Sequence, residues 1–436
     1  MNEAGPAVRR IFANLSLLLG GKAAAGLVSL VYVVIVARKL GVVDYGVLTL
    51  VNGFVLLIGE VVAFSGWHGL VRYGSEALEA GSHERLLRVT RLMTLIELGF
   101  GVAAFAVAAL LAPLVGPHLG WPAAVTSFAL IYSLAIFGTV RATPQGLLQL
   151  AGRFDLIGAH QLLQPLVRLT GSVIVWWCGG GLIDFLIVWL ISALVEGAGM
   201  WLLGLWALRR MRLDARILGP VDGVLAENAG LVPFIATTNL DLTLRDIAPR
   251  IAPLTVGWLL GPAAAGILAL VERAGSVLQQ PAVLLGQASY AVLARLVAAG
   301  DIATLRRTVW RGAAAALAGG IPVVILYAIW GESFLRLIGG RSFSGGELLL
   351  VLIATARTLM LVTPPLSAAL TVMGRPSRSI LVNLVINFAL FPLLPLLLLL
   401  AGVNGAGCYA LIQAIVAALW LGAMFRWAVA TARQAT

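Results

Sequence analysis

The chain has 436 residues, is 60% apolar and only 11% charged, and has a mean hydropathy of +0.99. Soluble folds carry roughly 25% charge, and here the apolar residues gather into long runs, so composition excludes a soluble globular domain and points to a polytopic α-helical membrane protein. A net charge of +11 would suggest a nucleic-acid partner in a soluble chain; in this one the basic residues fall mostly between apolar runs and read as a topology signal, with no nucleic acid implied.

The N-terminal segment begins basic, at Arg9 and Arg10, and stays apolar through Val36. That is too long for a cleavable signal peptide, so it reads as a retained first span. Twelve spans are expected, at 14–37, 47–67, 92–114, 122–142, 158–178 and 183–206, then 231–257, 263–285, 311–331, 345–370, 379–401 and 404–426. Each is long enough to cross a hydrocarbon core of about 30 Å. With the N-terminus cytoplasmic, 20 of the 30 basic residues fall on the cytoplasmic side, Arg141 among them. Five lie opposite (Arg38, Lys39, Arg250, Arg336 and Arg341) and five within spans. This positive-inside bias predicts both termini in the cytoplasm. It also predicts attraction to anionic membrane lipids.

Leu40–Leu50, LGVVDYGVLTL, is echoed at Leu260–Leu270, LGPAAAGILAL. Leu40, Gly41, Gly46, Leu48 and Leu50 recur as Leu260, Gly261, Gly266, Leu268 and Leu270. Ala80-Gly81 recurs as Ala299-Gly300, and Gly152-Arg153 as Gly374-Arg375, at nearly the same offset. The spacing predicts a parallel duplication into a six-helix lobe at 1–208, a cytoplasmic linker at 209–229 and a second six-helix lobe at 230–436. Gly41, Gly46, Gly261 and Gly266 mark two hairpin turns, with Gly41 suited to a positive-φ helix end and Pro262 to the first turn of a helix. Arg72–Arg91 reads as one helix, either lying on the cytoplasmic membrane surface or solvated as a loop helix.

No enzyme signature is present. His68, His83, His118 and His160 are scattered, and neither HExxH nor a P-loop occurs. Cys178 and Cys408 make no CxxC pair, so neither metal nor redox cofactor is expected. The loops are too short for a catalytic domain. Charge inside the spans carries the functional signal instead: Lys22, Arg168, Arg245, Arg273 and Arg357 against Glu60, Glu97, Glu196, Asp241, Asp246 and Glu272. Each costs about 2.5–3.5 kcal/mol at a bilayer centre, so these groups pair or line a hydrated cavity. Asp241 and Arg245 stand at i,i+4 and form either a structural ion pair or part of that cavity. Glu97 and Glu196 lie near helix ends, where they either snorkel or face inward. The substrate-site candidates are Lys22, Asn52, Arg168, Asp241, Arg245, Asp246, Glu272, Arg273 and Arg357. Arg168 and Arg357 have no evident partner in their spans, and the guanidinium fork suits an anion such as phosphate.

The residues Ala37-Arg38-x-Leu40-Gly41 with Tyr45-Gly46, the basic stretch to Arg91, and Gln145-x3-Gln149-x2-Gly152-Arg153-Phe154 give the chain a family likeness. It resembles the Wzx-type polysaccharide-lipid flippases of the multidrug/oligosaccharidyl-lipid/polysaccharide exporter superfamily. The resemblance implies two six-helix lobes around a central cavity, and a substrate consisting of an oligosaccharide on undecaprenyl diphosphate. It implies transport across the bacterial inner membrane for O-antigen lipopolysaccharide or exopolysaccharide synthesis, alongside a polysaccharide polymerase and glycosyltransferases. Such transport would be coupled either to an ion gradient or to the membrane potential. The alternative within the superfamily is a multidrug or cation antiporter working through Asp241, Asp246 or Glu272.

Overall fold

The computed structural model describes residues 4–62, 64, 66–211, 213, 217, 219–276, 292–374, 382 and 385–434, with side chains over the same ranges apart from 4–17, 19, 245, 246, 248, 433 and 434. The described residues are all-α. The helices are α1 (Ala4–Val62), α2 (Trp67–Glu79), α3 (His83–Val115), α4 (Ala123–Tyr132), α5 (Ala142–Leu150), α6 (Phe154–His160), α7 (Leu163–Trp177), α8 (Leu182–Arg210), α9 (Val224–Glu227) and α10 (Leu231–Gly275). They continue as α11 (Ile302–Gly339), α12 (Glu347–Met360), α13 (Thr363–Val372), α14 (Leu393–Ala401) and α15 (Asn404–Gln434).

Eight helical stretches among the described residues are long and apolar enough to cross a membrane. Large apolar side chains point outward along them, for example Leu110 at 70% exposure and Ile329 at 63%. Such surfaces suit lipid and not water. One stretch, Gly20–Val62, runs for 43 residues, about 65 Å of helix, or roughly two membrane thicknesses. Gly41 breaks it, with φ 75° and ψ 179°. Gly261 breaks α10 with nearly the same angles, 83° and 177°. That corner of backbone space is open essentially to glycine alone, and each glycine there separates two of the expected spans.

The chain forms two compact units. Unit 1 is residues 1–39 with Leu50–Arg250, and unit 2 is Leu40–Thr49 with Ile251–Thr436. The stretch just after the first break thus packs with the second half of the sequence. Its reason is a reciprocal contact. A Cβ on Gly46 would strike the Pro262 carbonyl and lie 3.0 Å from the Gly266 nitrogen. A Cβ on Gly266 would strike the Val42 carbonyl and lie 3.1 Å from the Gly46 nitrogen. Each glycine faces the carbonyl four residues before the other, as a two-fold relation requires. Gly41 and Gly261 therefore make the turns, while Gly46 and Gly266 let two helix backbones cross in contact.

The other repeat landmarks also match in conformation: φ is 67° at Gly81 and 70° at Gly300, 68° at Gly152 and 76° at Gly374. At Gly81 the nitrogens of Gly81 and Ser82 donate to Leu78 and Ala77, and at Gly300 those of Gly300 and Asp301 donate to Val297 and Leu296. This is the Schellman helix ending. It corrects the reading of Arg72–Arg91 as one surface helix: the stretch ends α2, turns at Gly81 and begins the long α3. The start of α3 is fastened to the linker, where Arg88 pairs with Glu227 at 2.6 Å and Arg85 donates to the Asn228 amide oxygen at 2.9 Å.

The crossing predicts that Gly46→Ala destabilises the protein by about 1–3 kcal/mol, the range for inserting an atom into packed structure. Gly26→Ala, where an added Cβ meets nothing within 4 Å, should be neutral or slightly stabilising. Thermal unfolding in detergent, followed by gel filtration, distinguishes them; equal midpoints for the two variants would contradict the crossing.

Candidate functional site

A cavity of about 440 Å³, its walls part polar and part apolar, lies within unit 1. Most of its walls are faces of helices. From α1 come Asn52, Leu56 and Glu60, spaced four apart. Gln164 and Arg168 on α7 and Asn239 and Thr243 on α10 are also four apart, and Arg250 follows two turns later. Such spacings stack side chains on one side of a helix. Thr139 and Arg141 come from the segment before α5, Gln145 from α5 and Glu196 from α8.

Three arginines and two glutamates line this space. Arg250 grips Glu60 in a two-pronged ion pair, Nε to one carboxylate oxygen and Nη2 to the other. Arg141 pairs with Glu196. The third arginine is different. Arg168 donates from Nε to the Ser192 hydroxyl at 3.0 Å, and Ser192 in turn donates to the Trp189 carbonyl at 2.7 Å. The guanidinium lies 4.8 Å from the centroid of the Trp189 ring. Serine and indole thus fix its plane, and among the described residues no carboxylate pairs with it. Asn52 is fixed as well, by a hydrogen bond of 2.8 Å from the Tyr132 hydroxyl to its amide oxygen. The lining therefore offers neutral hydrogen-bonding groups and one oriented, uncompensated cation.

Of the residues singled out in the sequence, Asn52 and Arg168 face this cavity. Lys22 is exposed on α1 and Asp241 half-buried on α10, within electrostatic reach of His68; neither belongs to the lining. The side chains of Arg245 and Asp246 lie outside the described residues. Glu272, Arg273 and Arg357 belong to unit 2. There Arg357 interacts electrostatically with Glu272 and lays its stem against Gly275. The Arg273 Nε is buried without a hydrogen-bond partner among the described residues.

Sequence reasoning passed over Arg141 and Arg250 because a charge count assigns them to the two membrane sides and not to the bundle interior. In the structure their side chains meet carboxylates in the cavity. Glu196, one of two helix-end acids, faces inward to Arg141. Glu97, the other, is 2% exposed and accepts hydrogen bonds from the backbone nitrogens of Ala142 and Thr143, the latter at 2.8 Å. It supplies from α3 the N-terminal cap that α5 lacks in its own sequence. Cys178 and Cys408 are free thiols, and no cluster of three potential metal ligands occurs among the described residues.

Comparison with known proteins places this architecture. The inner membrane protein YghQ of Escherichia coli strain K12 is 27% identical over 339 residues, 77% of this chain and 94% of that protein. An inward-facing multidrug resistance MATE family transporter of the MOP superfamily superposes with a TM-score of 0.74, at 14% identity, over 94% of this chain and 96% of the other. The lipid II flippase MurJ, in an inward closed conformation, superposes at 0.71 and 13% identity, over 92% and 85%. At such identities these structures establish the fold alone, the helical architecture that this chain shares with them. A family model described as "polysaccharide biosynthesis protein" matches residues 11–297, and the chain belongs to that family.

Proposed function

We propose that the protein is an alternating-access flippase that moves a lipid-linked oligosaccharide, carried on undecaprenyl diphosphate, across the bacterial inner membrane for surface polysaccharide synthesis. The observation that carries this reading is the cavity in unit 1: a family member that is 60% apolar encloses a space lined by amides, hydroxyls and an oriented arginine. Sugars present hydroxyl groups that amides and hydroxyls bond from either role. A phosphate suits the arginine fork. The hydrophilic head would pass along this lining while the polyprenyl tail stays in hydrocarbon.

In this reading the chain crosses the membrane twelve times with both termini cytoplasmic. Glycosyltransferases would supply the substrate and a polymerase would consume it. The movement would draw on an ion gradient or the membrane potential. One observation favours a second reading, a multidrug or cation antiporter: the carboxylates of Glu60 and Glu196 stand in the cavity and would be its carriers.

Arg168→Ala should lower export of the surface polysaccharide by about tenfold or more, with Arg168→Lys intermediate because a point charge replaces the fork. Export is read by gel analysis of surface glycan at matched protein levels; unchanged export in Arg168→Ala would remove this residue from the substrate path. Arg250→Gln should cost roughly 1–3 kcal/mol of stability, since it removes the two-pronged partner of a half-buried carboxylate, and the double variant Glu60→Gln/Arg250→Gln should recover most of it. Thermal unfolding of the three variants checks this; additive losses would show that the pair is not coupled.

A further inference from the structure

The two copies of one helix start differ in a way that the transport reading does not use. Aligned on Gly81 and Gly300, α3 and α11 begin alike: Leu86 and Leu305 are both fully buried, and Arg88 corresponds to Arg307. In the first copy the arginines are neutralised within the chain. Arg88 pairs with Glu84 at 3.0 Å and with Glu227, and Arg85 with Glu76 at 3.4 Å. In the second copy the position of Glu84 is Ala303. Arg306, Arg307 and Arg311 are exposed, and among the described residues none has a carboxylate in ion-pair contact. Asp301, which caps α11 through the Thr304 nitrogen at 2.9 Å, feels the charge of Arg307 without contacting it as an ion pair.

These arginines share one face of α11. Ala303, Arg306, Arg307, Trp310, Arg311 and Ala314 line a depression of about 370 Å³, and their spacing of three and four residues is that of a helix stripe. Trp310 forms its floor. The indole rests against Gly422, where an added Cβ would lie 3.5 Å from the ring, and meets Phe425 edge-on at 6.4 Å. The guanidinium of Arg426, from α15, lies 5.5 Å from the ring centroid. Three arginines thus share the depression with one half-buried indole, and a fourth lies over its ring. The same face continues along the span as Ala318, Ile321, Ile325 and Ile329, all exposed, with the isoleucines 50%, 52% and 63% accessible. A basic cup opens directly onto an apolar lane.

We propose that this cup binds the headgroup of an anionic phospholipid, its phosphate between Arg306, Arg307 and Arg311 and an acyl chain along Ile321, Ile325 and Ile329. A soluble phosphate would use the arginines but not the lane; a zwitterionic lipid would use the lane but bring no net negative charge. A tryptophan at the boundary suits the interface between headgroups and hydrocarbon.

The test uses the full chain purified in detergent and native mass spectrometry, with phosphatidylglycerol or phosphatidylcholine added. The wild type should retain phosphatidylglycerol preferentially, and Arg306→Gln/Arg307→Gln/Arg311→Gln should lose that preference by on the order of fivefold for each arginine removed. A control with the same loss of charge at other exposed arginines, Arg209→Gln/Arg336→Gln/Arg341→Gln, should retain it. If the triple variant does not fold, the single exposed substitution Arg306→Gln carries the same expectation at one step. Equal losses in the two triple variants would reduce the effect to net charge and overturn the site. Equal retention of both lipids by the wild type would overturn it too, as would displacement of phosphatidylglycerol by inorganic phosphate at matched concentration.

Discussion

Glu60 and Arg250 are 190 residues apart in sequence and form a two-pronged ion pair. In a chain this apolar neither charge is tolerable alone, because an unpaired ion in hydrocarbon costs several kcal/mol. The pair lets α1 and α10 turn polar faces to the same space. Arg141 with Glu196 does the same for the segment before α5 and for α8. With those two pairs neutral, Asn52, Gln145, Gln164, Asn239 and Thr243 can line a cavity whose net character is set by one residue, Arg168. The chemistry of the site is therefore that of a mostly neutral hydrogen-bonding pocket with a single oriented cation.

A second constraint is steric. Two helix starts, at Val42–Gly46 and Pro262–Gly266, approach so closely that a single methyl group on either glycine would meet the other backbone. The contact is reciprocal at the offset of the sequence repeat, and the turns that precede it, at Gly41 and Gly261, share one unusual backbone conformation. The duplication is thus recorded three ways: in the letters, in matched glycine torsions, and in a contact that maps onto itself. It also explains why Leu40–Thr49 groups with unit 2 although the chain on both sides of it belongs to unit 1.

Much of this was legible in the sequence, for physical reasons. Apolar runs identify helices that cross a membrane, and recurring glycines identify backbone positions that only glycine fits. Asn52 and Arg168 were recognisable as cavity residues because polar groups in such runs must face inward. Pairing was harder to see. Arg141 and Arg250 sit at span ends, where a count of charge cannot tell a loop residue from one that reaches into a bundle. Glu97 looked like a snorkelling acid, whereas it caps a helix 45 residues downstream, a contact that no local pattern encodes. The supposed surface helix at Arg72–Arg91 failed because Gly81 outweighs the amphipathic pattern around it. Among the described residues eight stretches qualify as spans on their own length and composition where twelve were expected: Gly20–Val62 holds most of two expected spans on either side of the break at Gly41, and another is divided between α6 and α7.

The central claim is that the cavity carries the head of a lipid-linked glycan. It is tested most directly by reconstituting the protein in proteoliposomes with a fluorescent undecaprenyl-diphosphate oligosaccharide and following access of an impermeant glycosidase to the label over time. Label in the inner leaflet should become accessible to the added enzyme in vesicles containing the wild type, and markedly more slowly with Arg168→Ala. Rates for the wild type no greater than in protein-free vesicles, with a supplied ion gradient and membrane potential, would contradict the account.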